Sequence, residues 1–486
     1  MSQYQMSSMP ARDERPPSVF AEGWSALKDQ PLRRAVVVYL MILIAVLPLP
    51  FGGWRDWAIN GLALVTGSML LAVAWGAVVG RVDLRRLSLA VVPAALYALA
   101  LVWAALQASH FPFLRPLWNP LWNEAAVALG HPLKPSISLD SHKTLSGLVS
   151  LGSYGGIFLL ALYAVNELRI ARMLVRLFIY AATVNAFYGL AIYFTGANIV
   201  LWFEKELHFN VVTGTFDNRN SFAMYCGLAL ISAIGLFLNE VSRRRQSATK
   251  QAAIVLADRV WRMAWPLVIS AGVLGTALML TASRAGTTTA MIGVATLCAI
   301  VYLTPSVRPF RKRILVIAGF VAAALLIVLS GDKTAQRFIV GLDVEDQRFT
   351  VFADVLRGLP EYALIGTGLG SFEDVFRVFR QDTLYTSFNY AHNDMLEAAL
   401  ELGIPAASAL LLAVALLVLQ CWHELRTRRR GAIFSCIAVA VSVQVALHSQ
   451  LDFSMQIPAV VIAYLILIAC GLTRADRPDR QPGPGK

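Results

Sequence analysis

Three residues stand out because their surroundings make them costly. Arg219 lies in Gly214-Thr-Phe-Asp-Asn-Arg-Asn220, Arg284 in Ser283-Arg-Ala-Gly286 and His392 in His392-Asn-Asp394, and each abuts the end of a long apolar run. Ionisable groups beside such runs need a partner or a task. Arginine presents a rigid fork of donors that matches the oxygens of a diphosphate. A helix N-terminus nearby adds partial positive charge. A neutral histidine can take a proton from an attacking hydroxyl near neutral pH. Two arginines and a histidine at one face therefore suit transfer of a group from a diphosphate to a hydroxyl. The leaving phosphate is then stabilised by positive charge already in place, and no nucleotide is needed. The bland alternative is that the arginines snorkel to lipid phosphates and the histidine is a satisfied interface residue.

The elements that must position these residues are apolar helices. The chain of 486 residues is 57% hydrophobic and 15% charged, with mean hydropathy +0.60. A soluble chain of this size exposes more charge. The apolar residues form long continuous runs, which reads as spanning helices and not as the alternating strands of a membrane barrel. Twelve spans are expected: 35–51, 57–79, 89–109, 144–165, 173–194, 221–238, 265–281, 287–303, 314–330, 394–422, 432–448 and 457–472. The tenth is long enough to protrude or to break near Gly403 and Pro405. The late, long first run without a cleavage site is no signal peptide. The five cysteines lack metal-ligand spacing and predict neither a disulfide nor zinc.

The net charge of +12 reads as topology, not as nucleic-acid binding. With an even number of spans and both termini in the cytoplasm, 28 of the 42 Lys and Arg fall on the inside and 13 on the outside, with Arg176 within the fifth span. The expected organisation is a cytoplasmic tail over 1–34, a transmembrane domain over 35–472 and a second cytoplasmic tail over 473–486. Arg219, Arg284 and His392 then share the outer face. The largest outside piece is a loop over 331–393 between the ninth and tenth spans. Two amphipathic helices are expected in it. One uses Phe349, Phe352, Leu356 and Leu359 as its apolar face, and the other Phe372, Val375, Phe376 and Phe379, with Ser371 and Asp374 as its N-cap pair.

Around the central three, Arg348, Asn393, Asp394, Glu401 and Asn220 are the candidate substrate-binding residues. Each also has a plain structural reading. Asp394 and Glu397 have the spacing of a capping box. Glu401, one turn further, is the more costly acid and is expected to orient His392 or to pair with an arginine. Arg337, Arg357, Arg377 and Arg380 read as solvated faces of loop helices, while Arg348 could reach a substrate. The glycines of Gly366-Thr-Gly-Leu-Gly370 are not a nucleotide loop, because the GxGxxG spacing and a preceding strand are missing.

Four stretches carry a resemblance: Gly214-Thr-Phe-Asp-Asn-Arg-Asn-Ser-Phe-Ala223, Ser283-Arg-Ala-Gly286, the pattern from Arg348 through Pro360 to Gly366-Thr-Gly-Leu-Gly-Ser-Phe372, and His392-Asn-Asp-Met-Leu-Glu-Ala-Ala-Leu-Glu-Leu-Gly-Ile-Pro405. Together they resemble the O-antigen ligase/polymerase family of bacterial membrane glycosyltransferases, over roughly residues 200–470. The resemblance implies an all-α polytopic fold of about twelve transmembrane helices, GT-C-like, with a periplasmic helical loop between spans nine and ten. It implies an inner-membrane enzyme whose site faces the periplasm. The donor would be a glycan linked to undecaprenyl diphosphate, with no metal and no ATP. In the family, periplasmic arginines hold the diphosphate and a loop histidine activates the acceptor; those roles fall on Arg219, Arg284 and His392. The loop is shorter than in many ligases.

Three acceptors stay open. Lipid A-core makes a ligase of lipopolysaccharide biosynthesis, a lipid-linked repeat unit makes an O-antigen or exopolysaccharide polymerase, and a protein hydroxyl makes an oligosaccharyltransferase. Other polysaccharide-assembly proteins are conceivable partners. The competing class is a twelve-span secondary transporter. Against it stand the missing internal repeat and the lack of charged residues at mid-membrane depth.

Overall fold

A computed structural model describes residues 18–242, 250–303, 319, 346–381, 388–427 and 431–473. The described residues are overwhelmingly helical: α1 (Val19–Ser25), α2 (Pro31–Val46), α3 (Asp56–Val78), α4 (Val91–Ala108), α5 (Leu121–Leu129), α6 (Ser141–Ala164), α7 (Leu168–Thr195), α8 (Arg219–Ser242), α9 (Lys250–Leu280), α10 (Arg284–Leu303), α11 (Asp346–Tyr362), α12 (Phe372–Phe379), α13 (Asp394–Thr427), α14 (Ala432–His448) and α15 (Pro458–Gly471). The sheet among them is a two-stranded hairpin, β1 (Ile199–Val200) with β2 (Phe203–Glu204).

Among the described residues, seven helices are long and apolar enough to cross a membrane, and three shorter apolar helices accompany them at Ala264–Leu280, Ala432–His448 and Pro458–Gly471. The architecture is that of an all-α membrane protein. The predicted ninth span, 314–330, lies outside the described residues apart from Gly319. Helix α8 is the axis of the bundle. It packs against α7, α9, α10 and α14 and is buried almost all round, as expected of a helix apolar on every side. Helices α3 and α4 keep most of their surface outward. Residues 18–34 hold α1 and the first turn of α2. Helix α1 packs on α7, Val19 and Leu27 are buried, and buried Arg33 pairs with Glu167 at 3.2 Å.

Helix α13 is the element that matters most for the site, and it is broken. Gly403 sits at φ 77°, ψ 155°, a conformation open essentially to glycine alone. The break frees the carbonyls of Leu400, Glu401 and Leu402 in an apolar setting, where each needs a donor. The glycine turn 366–370 and α4 supply them. Thr367 N donates to Leu400 O and Glu401 O, both at 3.1 Å, and Gly368 N to Glu401 O at 2.9 Å. Trp103 Nε1 donates to Leu402 O at 2.9 Å and Gln107 Nε2 to Glu401 O at 2.8 Å. Beyond the break, Ile404 N donates to Ala363 O at 2.7 Å.

Helices α11 and α12 close over the first part of α13. Phe372, Val375 and Phe376 of α12 face inward as the spacing predicted, and Phe379 packs against them. For α11 the predicted face is rotated. Val351, Val355 and Tyr362 are buried, whereas Phe349 and Leu356 are exposed. The reason is Asp354, which is buried to accept from Arg357 Nη1 at 3.2 Å and Gln381 N at 3.1 Å, and so draws its own side of the helix inward. Ser371 occupies the N-cap position of α12, but its hydroxyl donates to Gly368 O at 2.6 Å instead of capping the helix.

A Cβ at position 403 would lie 2.7 Å from Leu364 O besides being strained in φ. Gly403→Ala should therefore lower the stability of the detergent-solubilised protein by about 2 kcal/mol or more. Gly67→Ala, where a Cβ meets nothing within 4 Å inside α3, should be neutral or slightly stabilising in the same thermal-melting assay.

Candidate active site at one end of the bundle

Two helix starts bring the arginines together. Asn218 begins α8, its Oδ1 accepting from Asn220 N at 2.7 Å and Ser221 N at 3.3 Å, so Arg219 stands on the first turn. Ser283 does the same for α10: its hydroxyl oxygen accepts from Gly286 N at 3.1 Å and sets Arg284 on the first turn. The two starts are stitched by Ser283 Oγ donating to Asn220 Oδ1 at 2.8 Å. They approach closely because a Cβ on Gly286 would come within 2.4 Å of the Ala223 side chain. Two guanidinium groups thus rise from adjacent positive helix ends.

His392 is placed by the start of α13. Asn393 is the true cap, with its Oδ1 accepting from Met395 N at 3.1 Å and Leu396 N at 3.0 Å. The expected capping box from Asp394 to Glu397 is replaced by this arrangement. Asp394 Oδ2 accepts from Ser449 Oγ at 2.8 Å and Met455 N at 3.3 Å, tying α13 to the turn between α14 and α15. Glu397 reaches back to Ala391 N at 2.6 Å and accepts from Gln456 Nε2 at 2.6 Å. His392 itself has φ 54°, a left-handed conformation that turns its ring away from the helix. The ring lies edge-on to Phe453, with centroids 5.0 Å apart, and to Phe388 at 6.4 Å.

The partner of His392 is an acid that sequence reasoning missed. His392 Nδ1 is 2.9 Å from Asp452 Oδ1; the Asp452 side chain is fully buried, and that of His392 is 18% exposed. Burial would raise the Asp452 carboxyl, but the hydrogen bond from His392 and the charges of His448 and Arg348 prevail and hold it below the ordinary carboxylate range. An ionised carboxylate only accepts, so His392 Nδ1 carries a proton and Nε2 is left with its lone pair. Glu401, the residue expected to orient this histidine, instead accepts from Phe372 N at 2.9 Å and braces α12.

Asp452 also links the base to the arginine turns. His448 Nε2 lies 3.9 Å from Asp452 Oδ2 and 3.0 Å from Ser454 Oγ. On its other side His448 Nδ1 is 3.4 Å from Thr289 Oγ1, one turn into α10 from Arg284. Ser454 Oγ is also 3.4 Å from Ser221 Oγ of α8. A continuous polar chain therefore runs from His392 to the beginnings of α8 and α10. Arg348 joins from α11, with Nη1 donating to Leu451 O at 3.2 Å, next to Asp452. The structure gathers Arg219, Asn220, Arg284, Arg348 and His392 around one chain of contacts. It gives Asn393, Asp394 and Glu401 bracing hydrogen bonds around that chain. Asp452 and His448 offered only a faint signal: two ionisable residues in a short segment between apolar spans.

His208, also unflagged in the sequence, faces the same cluster. Burial first, then Arg219, Arg348 and Lys205, with Asp452 opposing, push its pKa down from 6.5 to about 4. It is therefore neutral in the fold where an unfolded histidine would begin to charge. Stability is complete above pH 6.5 and falls as the pH drops from 6.5 towards 4, by at most about 3 kcal/mol. The pH dependence of thermal melting over that interval should flatten in His208→Gln.

Residues 266–411 match the family model described as O-Antigen ligase. The match spans the Arg284 turn, α11 with Arg348, the glycine turn and the His392 segment. No curated protein matches the chain. This match over the stretches that carry Arg284, Arg348 and His392 supports the resemblance to the O-antigen ligase/polymerase family and, with the apolar helices, a multi-pass membrane protein of glycosyltransferase type.

Proposed function

We propose that the protein transfers a glycan from undecaprenyl diphosphate to an acceptor hydroxyl at the periplasmic face of the inner membrane. The observation that carries this reading is the His392–Asp452 pair at 2.9 Å, joined through buried polar contacts to the helix starts that bear Arg219 and Arg284. Asp452 holds the imidazole with Nε2 free to act as base. The acceptor hydroxyl gives its proton to Nε2 as its oxygen bonds to the anomeric carbon. The bond from that carbon to the diphosphate oxygen breaks, and undecaprenyl diphosphate leaves with the electron pair. Arg219, Arg284 and Arg348 take up the charge that develops on the phosphate, which is the service a metal ion gives elsewhere. Asn220 orients the Arg284 turn through Ser283, while Asn393, Asp394 and Glu401 keep the base and its covering helices in place.

Twelve spans with both termini in the cytoplasm complete the reading. The opposite end of the bundle supports it. There Arg33 Nε donates to Ala164 O at 2.9 Å, Arg86 Nη2 donates to Leu472 O at 3.0 Å, and Arg176 pairs with Glu240 at 3.3 Å. Arg33 and Arg86 meet the carbonyls of helix C-termini and belong to the inside excess of positive charge, while Arg176 is paired with a buried carboxylate. The acceptor is lipid A-core, a lipid-linked repeat unit or a protein hydroxyl.

His392→Ala should abolish glycan transfer in cells with protein level and topology unchanged, and Arg284→Ala should do the same. Asp452→Asn should lower turnover by about 10² to 10⁴-fold, because the imidazole loses the carboxylate that fixes its proton. Arg284→Lys should recover only part of the activity, since a point charge replaces a fork. Full activity in His392→Ala and Arg284→Ala would sink the assignment. Surface glycans of a deletion strain identify the acceptor. Lipid-linked polymer without attachment means ligase, and accumulated single repeats mean polymerase.

A further inference from the structure

The chain leaves α7 at Thr195 and enters α8 at Arg219, and the hairpin between these helix ends is well built. Ile199 pairs with Glu204 and Val200 with Phe203, around Leu201 at φ 56°. Tyr188 of α7 accepts from Leu201 N at 2.6 Å. Asn198 accepts from Lys205 N through its carbonyl and from Asn210 N through its side chain, both at 2.9 Å. Lys205 Nζ donates to Val211 O at 2.9 Å. This bracing makes the hairpin a rigid extension of α7.

Its outward side is apolar. Trp202, Phe203, Leu207 and Phe209 are 79%, 48%, 65% and 53% exposed. They continue a stripe on α7, where Val184, Phe187, Ala191 and Phe194 are exposed at helical spacing on the side away from the bundle. In a helix long and apolar enough to cross a membrane, such a stripe faces lipid. The neighbouring corner before α3 is of the same kind. Phe203 lies 5.3 Å from Phe51, Arg55 sits over Phe51 and Trp54 at 5.1 and 4.8 Å, and Trp57 is exposed. Tryptophan and phenylalanine with an arginine, at the level where spanning helices end, is the composition of a membrane–water interface. The hairpin's other side carries His208 into electrostatic reach of Arg219, Arg348 and Asp452.

We propose that the 199–210 hairpin is seated in the outer-leaflet interface of the bilayer through Trp202 and Phe203, and that this seating holds the loop that carries His208 and leads into α8 at Arg219. The seating stands on the exposed stripe and aromatic belt; the link from that loop to the site rests on the proposed function.

The test uses the full-length protein in phosphatidylethanolamine/phosphatidylglycerol proteoliposomes. Trp202→Cys is labelled with an environment-sensitive fluorophore, and the native cysteines are all buried. The expected result is blue-shifted emission, quenched more by lipids spin-labelled near the headgroup than by lipids labelled deep in the chain. Emission as in water overturns the seating, and blue-shifted emission that no lipid quenches reveals a protein contact instead and overturns it too. A Trp202→Ser/Phe203→Ser double variant should raise KM for the lipid-linked donor about tenfold with kcat little changed. An unchanged KM overturns the link between seating and site. The quenching result does not depend on activity, so an inactive wild type would count against the proposed function alone.

Discussion

The break in α13 at Gly403 is the constraint on which the outer end of the molecule depends. A helix that stops inside an apolar bundle leaves carbonyls that lipid cannot satisfy. Here the donors come from the glycine turn 366–370 and from Trp103 and Gln107 of α4. The same contacts fix the turn, and the turn fixes α12. Glu401 completes the exchange, since its backbone carbonyl is capped by the turn while its carboxylate caps α12 at Phe372 N. The first segment of α13 is thereby held as a separate, rigid unit with His392 at its leading edge.

Charge is handled differently at the two ends of the bundle. At the end bearing Arg33, Arg86 and Arg176, the arginines answer helix carbonyls or carboxylates and close the structure. At the other end, Arg219 and Arg284 stand on helix N-termini, where the backbone already contributes positive charge. Arg348 and Lys205 add to the same region, where burial first and then this positive charge favour the neutral form of His208. Against this field stands buried Asp452, hydrogen-bonded to His392. Positive charge, a histidine and a buried acid therefore share this end of the bundle.

Much of this was legible in the sequence, and the failures have physical causes. Long apolar runs located the helices because a span needs its full length in one stretch. Arg219, Arg284 and His392 were legible because each is expensive at a helix end. The face of α11 was misjudged because periodicity treats Asp354 as polar and outward, whereas two hydrogen bonds make it profitable to bury. Glu401 was expected to orient His392 or to pair with an arginine because it is the more costly acid of its helix. The contact that counts joins residues 60 positions apart, and a lone acid between apolar spans has no spacing to betray it. Gly366–Gly370 could be excluded as a nucleotide loop, but its service to the break at Gly403 is tertiary and invisible in one dimension. The hairpin at 199–204 was too short to show alternation.

The arrangement also bears on how one scaffold can serve several acceptors. The groups assigned to the donor, Arg219 and Arg284, belong to helix starts packed against each other in the bundle, and Gly286 permits no loosening of that contact. The base sits on a different rigid unit, joined to the first by the buried chain through Asp452, His448 and Thr289. The elements that cover the site from outside are α11, which carries Arg348, α12, tied to Lys143 through Glu373 and Asp374 at 3.3 and 2.9 Å, and the hairpin. Under the proposed function, the donor would be held through the buried polar chain, and the acceptor would be met by the elements that cover it from outside.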